Sequence, residues 1–511
     1  MRDPIVETTA GRIRGRSIDG DVLRFAGVPY AAPTGGAGRF RPPQPRTPWA
    51  GIRTADAFAP IAPQHGAHAK PGGAEAMSED CLALNVWTPS TAGRRPVLVW
   101  LHGGGFASGM PHHRPADGTA LARTGDVVVV SVAHRLALLG FLHLDELCGG
   151  EYAGSGNAGM LDLVAALTWI RDNIAAFGGD PDAVTIHGHS GGGGKVAALC
   201  SMPAARGLFR SAAIHGGPPF GFKHAATAHE TAEQALALLE IPPTRADRLR
   251  DVPLQRLLAV QRDLGVHGAP GPDGMRFAPT VATPELPADP LQAFAAGAAS
   301  DVALMVGTAL DESRAAAFAH PAYLTGDEIS DDDLVARVRP GLDDPDDAEG
   351  LVAAYRELDP AAGNVDHFFA ITSDQFRIRS LRLADAKHLG DGRPSWVYLC
   401  ETAHDTPHGA FHGIEMPLFF NNTTPATPGR AVASALSAQL VAFAHDELGA
   451  SETWAPYTPP QPDQLVIEDD ALQTARAPRH ERVRLWDGIV VTPSTDPWTT
   501  LWPQPQEHHS A

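Results

Sequence analysis

Six short apolar runs rich in β-branched residues set the tightest limit on the architecture. They are Val97–Leu101, Val127–Val132, Val184–His187, Ala212–His215, Val302–Val306 and Trp396–Leu399. Apart from Val184-Thr185-Ile186-His187, none alternates apolar with polar residues along its length. Both faces of each must therefore be covered, which is the pattern of a parallel sheet packed between helices. Helical periodicity falls between some of the runs: Met160, Leu163, Val164, Leu167, Ile170 and Ile174 share one face at three- and four-residue steps. Asn157 stands where it can cap that helix, and Gly178–Gly179 where they can end it. Strands alternating with helices predict an α/β fold with a mostly parallel central sheet.

The later strands are widely spaced. Residues 217–300 and 308–394 carry helical patterns, such as Glu230–Leu239 and Asp333–Glu357, broken by proline and glycine. They are expected to be helical insertions on one domain spanning 1–487, forming a cap at one end of the sheet. The tail 488–511, with its prolines, tryptophans and His-His pair, is expected to be loosely ordered. The acidic stretches Asp331–Asp333 and Asp343–Asp347 fit solvated faces. A formal charge of -19, from 59 acidic and 40 basic residues, argues against a nucleic-acid partner. The N-terminus lacks the apolar stretch of a secretory signal, and no apolar run reaches the ~18–20 residues of a membrane span. A cytoplasmic location is expected. The four cysteines, Cys81, Cys148, Cys200 and Cys400, form no CxxC pair and fit unpaired, mostly buried thiols.

The sharpest local motif is Val184-Thr185-Ile186-His187-Gly188-His189-Ser190-Gly191-Gly192, the one G-x-S-x-G in the chain. A strand runs into it and a helix through Lys195–Leu199 follows, which is the context of a nucleophile elbow. Small residues at 188 and 192 let strand and helix approach, and the amide of Gly191 faces the place where an oxyanion would form. Gly194-Lys195 superficially matches the end of a phosphate-binding loop. The first glycine of that motif would fall on His189, however, and Val196 replaces its metal-binding hydroxyl. A second motif, His102-Gly103-Gly104-Gly105-Phe106, follows the run Val97–Leu101 and supplies flexible backbone for further oxyanion donors.

A serine needs a base, and the base an orienting acid. In chain order the acid belongs after Val302–Val306, where Asp311 and Glu312 are adjacent and spacing does not choose between them. The base belongs after Trp396–Leu399, within His408–Glu415. The spacing of His404, His408 and His412 looks like a metal set, but Pro407 and Gly409 forbid the helix it would need.

From about Pro4 to about Trp486 the chain resembles the type B carboxylesterases, the family of bacterial para-nitrobenzyl esterases and cholinesterases. The resemblance rests on Phe25-Ala26-Gly27-Val28-Pro29-Tyr30-Ala31, Arg39-Phe40-Arg41-Pro42-Pro43, Ser78-Glu79-Asp80-Cys81-Leu82-Ala83-Leu84-Asn85-Val86, and Gly156-Asn157-Ala158-Gly159 leading to Phe177-Gly178-Gly179-Asp180-Pro181. It implies an α/β-hydrolase fold, with Ser190 as nucleophile, Glu312 as acid and His412 as base. It implies oxyanion donors at Gly104, Gly105 and Gly191, a structural Asp311, and a deep pocket beneath the insertions. No metal or cofactor is implied, and the partner is a small-molecule ester. Family members often carry Glu before and Ala after the nucleophile, where this chain has His189 and Gly191. His189 is expected to fill space, and His134, standing where tyrosine is common, to be structural. Cys81 has no upstream cysteine to pair with. Choline-binding aromatics are not found, which argues against a cholinesterase. The expected reaction is hydrolysis of small to medium hydrophobic esters. Carbamate or amide hydrolysis and acyl transfer are the alternatives, with a non-catalytic binding protein further off.

Overall fold

The computed structural model describes residues 3–18, 20–65, 76–218, 221–265, 276–318, 329–403, 406–448, 454–460 and 462–491. Its centre is an 11-stranded sheet. The strands in chain order are β1 (Arg16–Ile18), β2 (Val22–Pro29), β3 (Ala83–Thr88), β4 (Arg95–Leu101), β5 (Val128–Val132), β6 (Gly179–His189), β7 (Ser211–His215), β8 (Ala303–Ala309), β9 (Ser395–Cys400), β10 (Asp463–Ile467) and β11 (Leu472–Arg476). Across the sheet they follow the order β1-β2-β3-β5-β4-β6-β7-β8-β9-β10-β11. Every neighbouring pair from β5 to β10 is parallel. The flanking pairs are antiparallel. A three-stranded sheet of Ile5–Thr8, Gly11–Arg14 and Ile52–Thr54 lies apart.

The six apolar runs are the strands β4 to β9, and β5, β7, β8 and β9 are buried along their whole length. That burial explains the absence of alternation in their sequence. The helix between β5 and β6 spans Ala158–Asn173 and continues as a 3-10 turn to Phe177, where Gly178 (φ 79°) ends it. Asn157 precedes the helix but makes no capping bond. Its side chain instead grips the first insertion, donating to the Thr280 carbonyl (2.9 Å) and accepting from the Thr280 amide (3.1 Å).

The first insertion contributes the helices Ala225–Leu238, Leu254–Asp263 and Pro290–Ala295. In the second, the pattern expected over Asp333–Glu357 is two helices, Asp331–Val338 and Asp347–Leu358, separated at Arg339-Pro340-Gly341. A further helix, Asn364–Leu389, leaves no clean apolar stripe in the sequence because it is buried nearly all round. Its inward residues include Thr372, Ser373, Asp374, Gln375, Arg377 and Ser380. Such polar burial needs partners. Asp374 finds two, the Tyr355 hydroxyl and Arg482 Nε (2.6 Å).

The chain just past Asp487 is held rather than loose as far as it is described. Val491 is buried and bridges to Leu342, while the Ile489 carbonyl accepts from Arg382. The four cysteines are unpaired; Cys81, Cys200 and Cys400 are buried. Among the described residues, no helix is long and apolar enough to cross a membrane.

One buried ion pair ties the Ala158–Asn173 helix to the loop after β5. Asp162 accepts from Arg135 Nη2 (2.6 Å), Arg135 Nε (2.8 Å) and the Arg135 amide (3.0 Å), and neither side chain is more than 2% exposed. Arg135 also donates to the Arg41 carbonyl (2.7 Å). Removing one partner strands the other's charge in the core. Asp162→Ala is expected to lower unfolding free energy by ~3–5 kcal/mol, measured by urea denaturation.

Candidate active site

The register of the parallel strands aligns the motif-bearing loops at one edge of the sheet. Leu101 pairs with Gly188, His189 with His215, His215 with Gly307, and Gly307 with Tyr398. The segments that follow β4, β6, β8 and β9 therefore emerge side by side. Ser190 begins the turn out of β6 at φ 59°, ψ -128°, a strained conformation for a residue with a side chain. Its amide donates to the His215 carbonyl (2.9 Å). The helix Gly191–Ser201 leaves at once.

The elbow fits only because three positions lack a Cβ. Built at Gly188, a Cβ would lie 2.5 Å from the Gly192 backbone; at Gly192, 2.1 Å from the Leu101 carbonyl oxygen; at Gly191, 2.2 Å from the Gly105 carbonyl oxygen. The last approach brings Gly191 against the loop after β4, where Gly104 (φ 90°) and Gly105 (φ 61°) adopt left-handed backbone. None of the amides of Gly104, Gly105 and Gly191 donates a hydrogen bond to another described residue. That loop is braced by Gln64, which donates to the Gly109 carbonyl (2.9 Å) and accepts from its amide (2.8 Å).

Glu312 and Asp311, which the sequence left undivided, separate clearly in space. Glu312 is fully buried and takes the Nδ1 side of His412 in a short hydrogen bond, while its other oxygen accepts from the Ala309 amide (2.9 Å). Asp311 turns to the backbone of the loop carrying His412, accepting from the Ala410 amide (3.0 Å). The His412 ring packs on His189, the residue before Ser190, with centroids 4.2 Å apart, and on Phe376 of the Asn364–Leu389 helix (5.6 Å). Its Nε2, on the side of the ring away from Glu312, is buried.

Burial disfavours charge on both partners, pushing the Glu312 carboxyl up to about 8 and His412 down. A second buried carboxyl, Glu415, lies within the field of Glu312 and is also raised to about 8, first by burial and then by that neighbour. Two such groups cannot both ionise. Glu312 has the better support for a negative charge, with an amide and an imidazole donating to it. Glu415 has its own amide and the Tyr398 hydroxyl at 3.4 Å, no imidazole, and an Oε2 without a hydrogen bond among the described residues. The proton therefore belongs on Glu415 and the charge on Glu312.

Glu415 was missed in the sequence, although a carboxylate inside the run Ile414–Phe419 is itself a signal, since burying it demands a reason. His134 is buried and stacked on His102, with centroids 4.9 Å apart. His404 lies outside the described residues. Among the described residues, no group of three or more His, Cys, Asp or Glu is placed to hold a metal ion. A cavity of about 290 Å³ opens between Gly103–Gly104 and His412, walled by Trp100, Met110 and Met416.

A mostly parallel sheet with a strained serine turn at its edge, a glycine loop beside it, and a paired glutamate and histidine two and three strands away defines an α/β-hydrolase. The Carboxylesterase family model matches residues 2–486. The chain is 35% identical to the para-nitrobenzyl esterase of Bacillus subtilis over 83% of this chain and 84% of that protein. It is 33% identical to the phenmedipham hydrolase of Pseudarthrobacter oxydans over 94% of this chain and 99% of that one. A carboxylesterase structure from Geobacillus stearothermophilus superposes with a TM-score of 0.83 at 33% identity, over 94% of this chain and 99% of the other. A para-nitrobenzyl esterase structure gives a TM-score of 0.80 at 31% identity, with the same coverage. The chain belongs to the carboxylesterase family and is a carboxylic ester hydrolase.

The two buried glutamates are expected to respond differently to the same change. Glu415→Gln keeps a neutral group in place, so kcat should stay within about threefold of wild type. Glu312→Gln removes the negative charge held against the His412 ring, so kcat should fall by ~10²–10⁴-fold. Steady-state kinetics on one chromogenic ester would check both.

Proposed function

We propose that the chain hydrolyses small to medium hydrophobic carboxylic esters through an acyl-enzyme on Ser190. His412 is the base, Glu312 the acid that orients it, and the amides of Gly104, Gly105 and Gly191 the oxyanion donors. The observation that carries this reading is the junction of Ser190, strained outward at the elbow, with three amides that donate to no other described residue. Preorganised donors of this kind are worth ~3–4 kcal/mol each in the transition state.

On substrate binding, Nε2 of His412 takes the Ser190 proton as the hydroxyl oxygen attacks the ester carbonyl. The negative charge that develops on the carbonyl oxygen falls among the three amides. The imidazolium is offset by ionised Glu312 and hands its proton to the leaving alcohol. Water, activated by the same ring, then attacks the acyl-serine and frees the acid and the hydroxyl. Support for a hydrophobic substrate comes from the cavity beside His412, whose walls include Trp100, Met110 and Met416.

Ser190→Ala is expected to lower turnover of p-nitrophenyl esters by at least ~10⁴-fold. Its melting temperature should stay near that of wild type. Turnover close to wild type in that variant would remove Ser190 from the role. A series of p-nitrophenyl esters of increasing acyl length is expected to reach its highest kcat/KM at short to medium chains.

A further inference from the structure

Lys195 has no part in the reaction as described above, yet it sits fully buried in the second turn of the elbow helix. A lysine without contact to water is costly unless something holds its ammonium. Among the described residues, no carboxylate pairs with it. Its Nζ donates to the carbonyl oxygen of His102 at 2.9 Å and stands 5.7 Å from the centre of the Phe106 ring. That carbonyl belongs to the peptide plane whose amide is Gly103, the start of the glycine loop. Three consecutive glycines have the widest backbone freedom of any sequence, so the loop does not fix its own direction.

We infer that Lys195 is a positioning residue of the oxyanion hole, tying the helix that carries the Gly191 amide to the loop that carries the amides of Gly104 and Gly105. The inference rests on the reading of Ser190 and these amides given above. The tie crosses between the two halves of the hole: the helix follows β6 and the loop follows β4. Gly191 and Gly105 already touch through backbone. The lysine sets the tilt of the peptide just upstream, so the donors point at one place.

Among the described residues, the groups that interact with Lys195 carry no negative charge. His102 supplies the accepting carbonyl, His134 stacks on the His102 ring, and Arg135 beyond them is already paired with Asp162 (2.6 Å). Burial pushes the lysine down to about 7. The ammonium form, with the stronger hydrogen bond, therefore prevails below neutrality and is lost as pH rises.

The experiment compares wild type, Lys195→Met and Ser190→Ala on p-nitrophenyl butyrate, with a trifluoromethyl ketone as transition-state analogue. In Lys195→Met, kcat is expected to fall about 10- to 100-fold, the scale set by small misplacements of catalytic groups, while KM moves less than about threefold. Affinity for the ketone should fall with kcat. The melting temperature should be unchanged or higher, because an apolar side chain replaces a buried charge. The wild-type kcat should decline above about pH 7, and Lys195→Met should lack that decline. A merely structural lysine would move the melting temperature and leave ketone affinity and pH dependence alone. A Lys195→Met kcat within twofold of wild type, with an unaltered pH profile, would overturn the inference. If that variant does not fold, the wild-type profile decides: no alkaline decline overturns it. Full activity in Ser190→Ala would instead sink the serine reading itself. An inactive Ser190→Ala beside a wild-type-like Lys195→Met would sink the lysine alone.

Discussion

The contact on which the rest of the site depends is the approach of the elbow helix to the end of the neighbouring strand. At Gly192 there is no room even for a methyl group beside the Leu101 carbonyl, and at Gly191 none beside Gly105. These contacts carry almost no attractive energy of their own. Their effect is geometric: they let β4 and β6 end at the same level, with Leu101 opposite Gly188. The serine is pressed outward by the same crowding that brings the glycine loop beneath it. A single extra carbon would push the elbow and the glycine loop apart.

Around that junction the protein concentrates ionisable groups in dry surroundings. Glu312, Glu415, His187, His189, His215 and His412 all lie at or near the C-terminal ends of β6 to β9, and burial works against charge on each. The outcome is decided by partners. Glu312 has the His412 imidazole beside it; Glu415 has only its own amide and a long contact to Tyr398. His215 instead joins the Tyr398 hydroxyl (3.0 Å), which also reaches Glu415. A network with one dominant acceptor keeps a single negative charge where the imidazole needs it.

Much of this was legible in the chain alone, and the remainder fails for identifiable reasons. Most of the strands β4 to β9 could be read because burial on both faces forces largely apolar runs. The elbow could be read because its glycines are sterically required. The pairing of Glu312 rather than Asp311 with His412 was not legible from spacing and came only from the family resemblance. In space the two carboxylates diverge because one returns to the Ala410 amide. Asn157 misled, since a side chain that can cap a helix was used to hold Thr280 in a distant insertion. The helix Asn364–Leu389 was invisible because its buried side carries polar residues such as Asp374 and Arg377, whose partners Arg482 and the Pro478 carbonyl lie far off in sequence. Lys195 looked like part of a nucleotide motif because its true partner is a backbone carbonyl, which no side-chain pattern records.

That long helix has a consequence for how the enzyme can diversify. It runs from the second insertion past β8 and β9, and along the way Phe376 rests against the His412 ring while Ser373 receives the amide of Ser313, next to Glu312. The rod of the second insertion is therefore also packed against the His412 ring and the turn that carries Glu312. A change of bulk at Phe376 or Ser373 shifts that pair, so a lineage can vary this helix freely only at positions that leave the pair in place.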